Sequence, residues 1–183
     1  MDALATIRRE IDQVLNQVKE EAIFQFATTL QENTQALFVI GEGRSGFMAK
    51  AFAMRLMHLG AKVYVVGETI TPALQEKDVL LAISGSGTTT SVVDKAQKAK
   101  KMGCKVLSLT TDPESPLAQT SDQVLVIPAA TKYRKPGEMA TVQPLSSLFD
   151  QSVHLILDTV CLTWATARSE SNAVGVKRHA NLE

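Results

Sequence analysis

The stretch Val79-Leu80-Leu81-Ala82-Ile83-Ser84-Gly85-Ser86-Gly87-Thr88-Thr89-Thr90 joins an apolar run to a turn of glycines and hydroxyl residues, and a helical pattern follows at once. A short apolar run closed by turn residues reads as a buried strand, and a strand feeding a helix is the repeating unit of a parallel α/β sheet. The first N–H groups of the helix have no intrahelical acceptor, and the helix dipole adds partial positive charge there, so the turn favours an anion. It lacks the lysine of the GxxxxGK[ST] spacing used by nucleotide-hydrolysing loops. A lone phosphate monoester therefore fits it better than a triphosphate with its Mg²⁺.

The same unit recurs on both sides. Upstream, an apolar run at 36–40 leads into Gly41-Glu42-Gly43-Arg44-Ser45-Gly46, a helical stretch over 45–59 closed by Gly60, and a second apolar run at 62–66. Downstream, a helix reaching about residue 102 is closed by Gly103 and followed by a run at 106–110, a short helix at 116–120 and a run at 124–127. Strands that are apolar throughout and separated by helices imply a parallel sheet covered on both faces. The expected fold class is α/β, a three-layer sandwich with five parallel strands. In the order 2-1-3-4-5 the ligand crevice lies where strand order reverses, between the first and third strands. Both glycine-rich turns would then open onto one crevice.

At the N-terminus, Ile7, Ile11, Val14, Leu15, Val18, Ala22, Phe26 and Leu30 follow helical spacing and predict one opening helix. Residues 129–144, with Lys132, Tyr133, Arg134, Lys135, Pro136 and Gly137, lack periodicity and read as a loop before a last helix over about 145–168. Apolar residues occupy more than one stripe of that helix, leaving two readings open: burial against its own sheet or against a partner subunit.

Composition narrows the class. The 183 residues, 45% hydrophobic and 21% charged, suit one soluble domain spanning 1–183. Lys plus Arg and Asp plus Glu number 19 each, so no excess positive charge awaits nucleic acid. Cys104 and Cys161 are isolated from other thiols and from histidines, which argues against structural zinc and a disulfide framework and points to a reducing cytoplasm. The charged N-terminal stretch is unlike a signal peptide, and the most apolar segment, 153–167, is interrupted by His154 and Asp158. Neither secretion nor a membrane span is expected.

Gly41, Gly43 and Gly46 also satisfy GxGxxG after a strand, with Glu68 where a dinucleotide fold places its ribose-binding carboxylate. That reading stands second, because it leaves the hydroxyl-rich turn without a role. A tight turn or close packing is the plainer explanation for Gly43 and Gly46. His154 with Asp158 four residues on reads as a solvated or interfacial pair.

From Gly41 through Phe47, Ala51 to Gly60, Val65 to Pro72, Ser84 to Thr89, Gln143-Pro144-Leu145 and Arg178-His179-Ala180-Asn181-Leu182-Glu183, the chain resembles the 6-phospho-3-hexuloisomerases of the sugar isomerase (SIS) domain family. The resemblance implies reversible conversion of D-arabino-hex-3-ulose 6-phosphate to fructose 6-phosphate through a cis-enediolate, without metal or organic cofactor, in formaldehyde fixation by the ribulose monophosphate pathway. The family's base is a glutamate in a Leu-Phe-Glu-Gln segment, which here reads Leu148-Phe149-Asp150-Gln151, so Asp150 takes that place one methylene shorter. Ser45, Ser84, Ser86, Thr88 and Thr89, with Gly85 and Gly87, are the expected phosphate cradle, and Arg44 the cation for the phosphate or the enediolate oxygen. His58 and His179 match family segments in which a histidine from a neighbouring subunit completes the site, and the resemblance implies a homotetramer. Two other classes remain: another SIS sugar-phosphate isomerase, and a sugar-phosphate sensor, which the absence of a basic or helix-turn-helix extension disfavours.

Overall fold

The computed structural model describes residues 2–32 and 35–182; Glu183, the end of the C-terminal segment that carries part of the resemblance, lies outside them. Strands β1 (Leu37–Gly41), β2 (Val63–Val65), β3 (Val79–Ile83), β4 (Lys105–Thr110) and β5 (Gln123–Val126) form a parallel sheet in the order β2-β1-β3-β4-β5. The chain leaves β1 toward one edge and β3 toward the other. Right-handed crossovers therefore place α3 (Gly43–His58) and α4 (Thr90–Lys101) on opposite faces.

Alternation along each strand serves both faces, which is why the strands read as unbroken apolar runs. Leu37, Val39, Leu81, Ile83, Leu107 and Leu109 join the core under α3 and α6 (Ser147–Ala167). Phe38, Ile40, Leu80, Ala82 and Val106 join a second core under α4 and α5 (Pro116–Thr120). Three layers result, as expected.

The opening helix is two helices, not one. α1 (Ala3–Leu15) and α2 (Glu20–Glu32) are separated where Gln17 N–H donates to Val14 O at 3.0 Å and Val18 N–H to Leu15 O at 3.1 Å. These tighter bonds end the first helix, and Glu20 and Glu21 sit in the first turn of the second, where acids favour the dipole. Both helices pack on α6, whose Leu148, Phe149, Val153, Ile156, Leu157, Val160 and Trp164 are buried within the chain's own fold. Its second stripe, Leu155 and Leu162, is exposed at 41% and 68%. No described helix is long and apolar enough to cross a membrane.

Candidate active site

Three helix N-termini meet beyond the carboxyl ends of β1 and β3. α3 brings Arg44 and Ser45 from the turn after β1, α4 follows the turn after β3, and α6 brings Asp150 in its first turn. Between them lies an open cavity of about 480 Å³. Arg44, Ser45, Ser84, Gly85, Ser86 and Thr88 line it, with Thr89 and Asp150.

Asp150 is 3% exposed, and both its oxygens are engaged. Ser45 Oγ donates to Oδ1 at 2.9 Å, and Arg44 Nε stands 3.5 Å from Oδ2 while Nη1 reaches Ser147 Oγ at 3.3 Å. Burial pushes the carboxyl above its usual range; the Ser45 hydrogen bond and the Arg44 charge oppose the rise without cancelling it. A buried carboxylate with a raised pKa beside one cation, in a cleft, has the character of a proton-transfer group.

The second turn is built differently. Gly87 N–H donates to Ser84 O at 3.0 Å, closing a tight turn, and Gly87 adopts φ 63° with its α-carbon against Ser115, so an added Cβ would stand 2.0 Å from Ser115 Oγ. Ser84 and Thr89 pair through their hydroxyls at 2.9 Å, and Thr88 Oγ1 donates to Ser86 Oγ at 2.9 Å. Thr89 is the N-cap of α4 without a side-chain cap bond. The N–H groups of Gly85, Ser86, Thr89 and Thr90 donate to no acceptor among the described residues. Unpaired donors around a cavity at a helix N-terminus make an anion cradle.

The histidines lie elsewhere. His58 ends α3, roughly 20 Å along the helix from Arg44 at the usual rise per residue. It is buried and stacked on the exposed His179, ring centroids 5.2 Å apart, and burial, then Arg55 and His179, lower its pKa. Arg178 pins the tail by donating to His58 O at 3.1 Å and pairing with Glu170. Neither histidine reaches the crevice of its own chain. The pairing of His154 with Asp158, at 3.7 Å, joins two half-exposed side chains on the outer side of α6.

The dinucleotide alternative loses its support here. Glu68 is ion-paired with Lys50 at 2.6 Å, and an added Cβ at Gly46 would meet Gly41 O at 2.7 Å, so this glycine serves the close approach of helix to strand. Thr131, Lys132, Tyr133 and Ser146 line the crevice and were not among the expected site residues. They lie in the aperiodic segment before α6, where only their basic and aromatic composition offered a signal.

Comparison with known proteins identifies the family and the fold. The SIS domain profile matches residues 30–155. A Mycobacterium gastri protein named 3-hexulose-6-phosphate isomerase is 40% identical over 98% of this chain and 89% of its own, and a Bacillus subtilis protein of the same name is 38% identical over 98% and 97%. A crystal structure from Methanococcus jannaschii, described as implying a 3-hexulose-6-phosphate isomerase function, superposes with TM-score 0.86 at 28% identity over the full length of both chains. The profile match, these relatives and the shared fold show that the chain belongs to the SIS domain family, among relatives named 3-hexulose-6-phosphate isomerase.

Proposed function

We propose that the chain is a phosphosugar isomerase interconverting D-arabino-hex-3-ulose 6-phosphate and fructose 6-phosphate, as in the ribulose monophosphate route of formaldehyde fixation. The observation that carries the reading is the meeting of a buried, cation-flanked Asp150 with a separate cradle of unpaired N–H donors in one cavity. The cradle takes the phosphate at the unreactive end of the sugar. Asp150 removes the C2 proton as the C3 carbonyl oxygen gains negative charge, giving a cis-enediolate. It then returns the proton to C3, while the O2 hydroxyl proton passes to O3 and the carbonyl forms at C2. Arg44 stabilises the oxygen charge that develops between the two steps, and Ser45 holds the carboxylate in line.

The enzyme works as a homo-oligomer, a tetramer in this reading. Phe47 and Met54 on α3 and Leu155 and Leu162 on α6 are exposed apolar residues spaced two helical turns apart, and the two helices pack together. In the assembly, the tail His179, steadied by His58, completes a neighbouring crevice.

The test is to mix the purified chain with fructose 6-phosphate in D₂O and follow the sugar by NMR. Exchange of the C2- or C3-bound hydrogen is expected. Binding without exchange would make the chain a sensor.

A further inference from the structure

Two cations line the crevice, and they are differently committed. Arg44 belongs to the acid side, engaged with Asp150 and Ser147. Lys132 lines the same cavity as the phosphate turn and forms no ion pair among the described residues. Its Nζ lies 5.0 Å from the centroid of the Tyr133 ring, a contact that steadies an ammonium without neutralising it.

The strap that carries Lys132 is anchored well beyond the needs of a surface loop. Lys132 N–H donates to Ser146 Oγ at 3.1 Å, and Thr131 gives its N–H and hydroxyl to the Glu138 carboxylate at 2.9 and 2.6 Å. Arg134 bonds to the Thr131 carbonyl, to Leu145 O at 2.8 Å and to Gln143 O at 2.6 Å. Behind it, Glu10 of α1, 5% exposed, accepts from Thr141, Val142 and Gln143. Arg134 and Leu145 stand in the left-handed region, at φ 48° and 52°. Non-glycine residues hold such angles only where their surroundings over-determine them, and functional sites are where that happens.

A phosphate monoester carries a charge of about −1.5 to −2 near neutral pH. N–H groups and hydroxyls supply only partial charges, and the guanidinium of Arg44 faces Asp150 on the acid side of the crevice. We propose that Lys132 is the phosphate counter-charge of this crevice and the residue that selects phosphorylated over neutral sugars. The inference rests on the sugar-phosphate reading above and gives the two cations separate roles, Lys132 in binding and Arg44 in the chemistry.

Lys132→Met and Lys132→Arg test it, with turnover of fructose 6-phosphate and calorimetric binding of inorganic phosphate measured at low and high salt. Lys132→Met is expected to raise KM and weaken inorganic phosphate by about tenfold each, the effect of one charge-assisted hydrogen bond, with kcat little changed. It should also flatten the salt dependence of kcat/KM, and Lys132→Arg should restore most of both. A KM and phosphate affinity within about twofold of the parent's would overturn the inference while leaving the isomerase reading intact. Loss of phosphate binding in Lys132→Met, alongside a parent chain that shows no hydrogen exchange, would sink the isomerase reading and leave the counter-charge standing.

Discussion

Asp150 is a residue whose placement favours chemistry over stability. Its carboxyl is buried with one hydroxyl and one cation for company, and burial outweighs both in setting the direction of its pKa. Because the native state holds the proton more tightly than the unfolded chain, this carboxyl stabilises the fold below its unfolded pKa. That contribution is lost as pH rises through the raised native value. Asp150→Asn should therefore leave the urea midpoint at neutral pH unchanged or higher while kcat falls by about 10²–10⁴-fold, the span of general acid–base catalysis. In the parent enzyme the acid limb of kcat/KM is expected above the ordinary carboxyl value of 3.8, since the base must be ionised to act. Ser86 lines the same cavity, and in the proposed reading it serves binding: its Oγ accepts from Thr88 Oγ1 and Thr88 N–H, shaping the cradle. Ser86→Ala should raise KM by about tenfold and spare kcat, because the phosphate is remote from the reacting carbons.

The element that sets the cradle is the turn between β3 and α4, and Gly87 is its tightest point. A side chain there faces left-handed backbone strain of about 1–2 kcal/mol, and its Cβ would overlap Ser115. Ser115 in turn caps α5 by accepting from Ala118 N–H at 3.3 Å, so the collision spreads to the neighbouring helix. Gly87→Ala should lower the stability of the whole domain by about 2–4 kcal/mol in urea unfolding, with weakened binding of inorganic phosphate in the chains that remain folded. This turn and the five strands were legible in the sequence because each is a local pattern: an apolar run, a glycine, a cluster of hydroxyls. The break between α1 and α2 was not, since Val14, Leu15, Val18 and Ala22 keep their apolar spacing through it and no glycine or proline marks it. The role of the strap was hidden for a different reason. Its order comes from contacts such as Glu10 with Thr141, more than a hundred residues apart, which no local pattern announces. The short α7 (Asn172–Lys177), with no buried residue, carries no amphipathic signal at all.

At the scale of the whole molecule, the acid, its flanking cation and the cradle converge at one end of α3, and the stacked His58–His179 pair closes the other. A helix length separates them, so in the proposed reading a histidine of this pair meets substrate in another copy's crevice, not its own. That geometry makes a sharp expectation for mixed assemblies. Chains carrying Asp150→Asn lack the base but keep the tail; chains carrying His179→Ala keep the base but lack the tail imidazole. If each crevice draws Asp150 from one subunit and His179 from its neighbour, half of all pairs formed on mixing are hybrids, and one of the two sites in each hybrid is intact. Unfolding and refolding the two variants together should then recover about a quarter of parental turnover, whereas either alone stays near background. Parental turnover by His179→Ala on its own, with about half of it in a refolded mixture whose size by light scattering matches the parent oligomer, would remove His179 from the mechanism and confine the chemistry to the Asp150 end of a single chain.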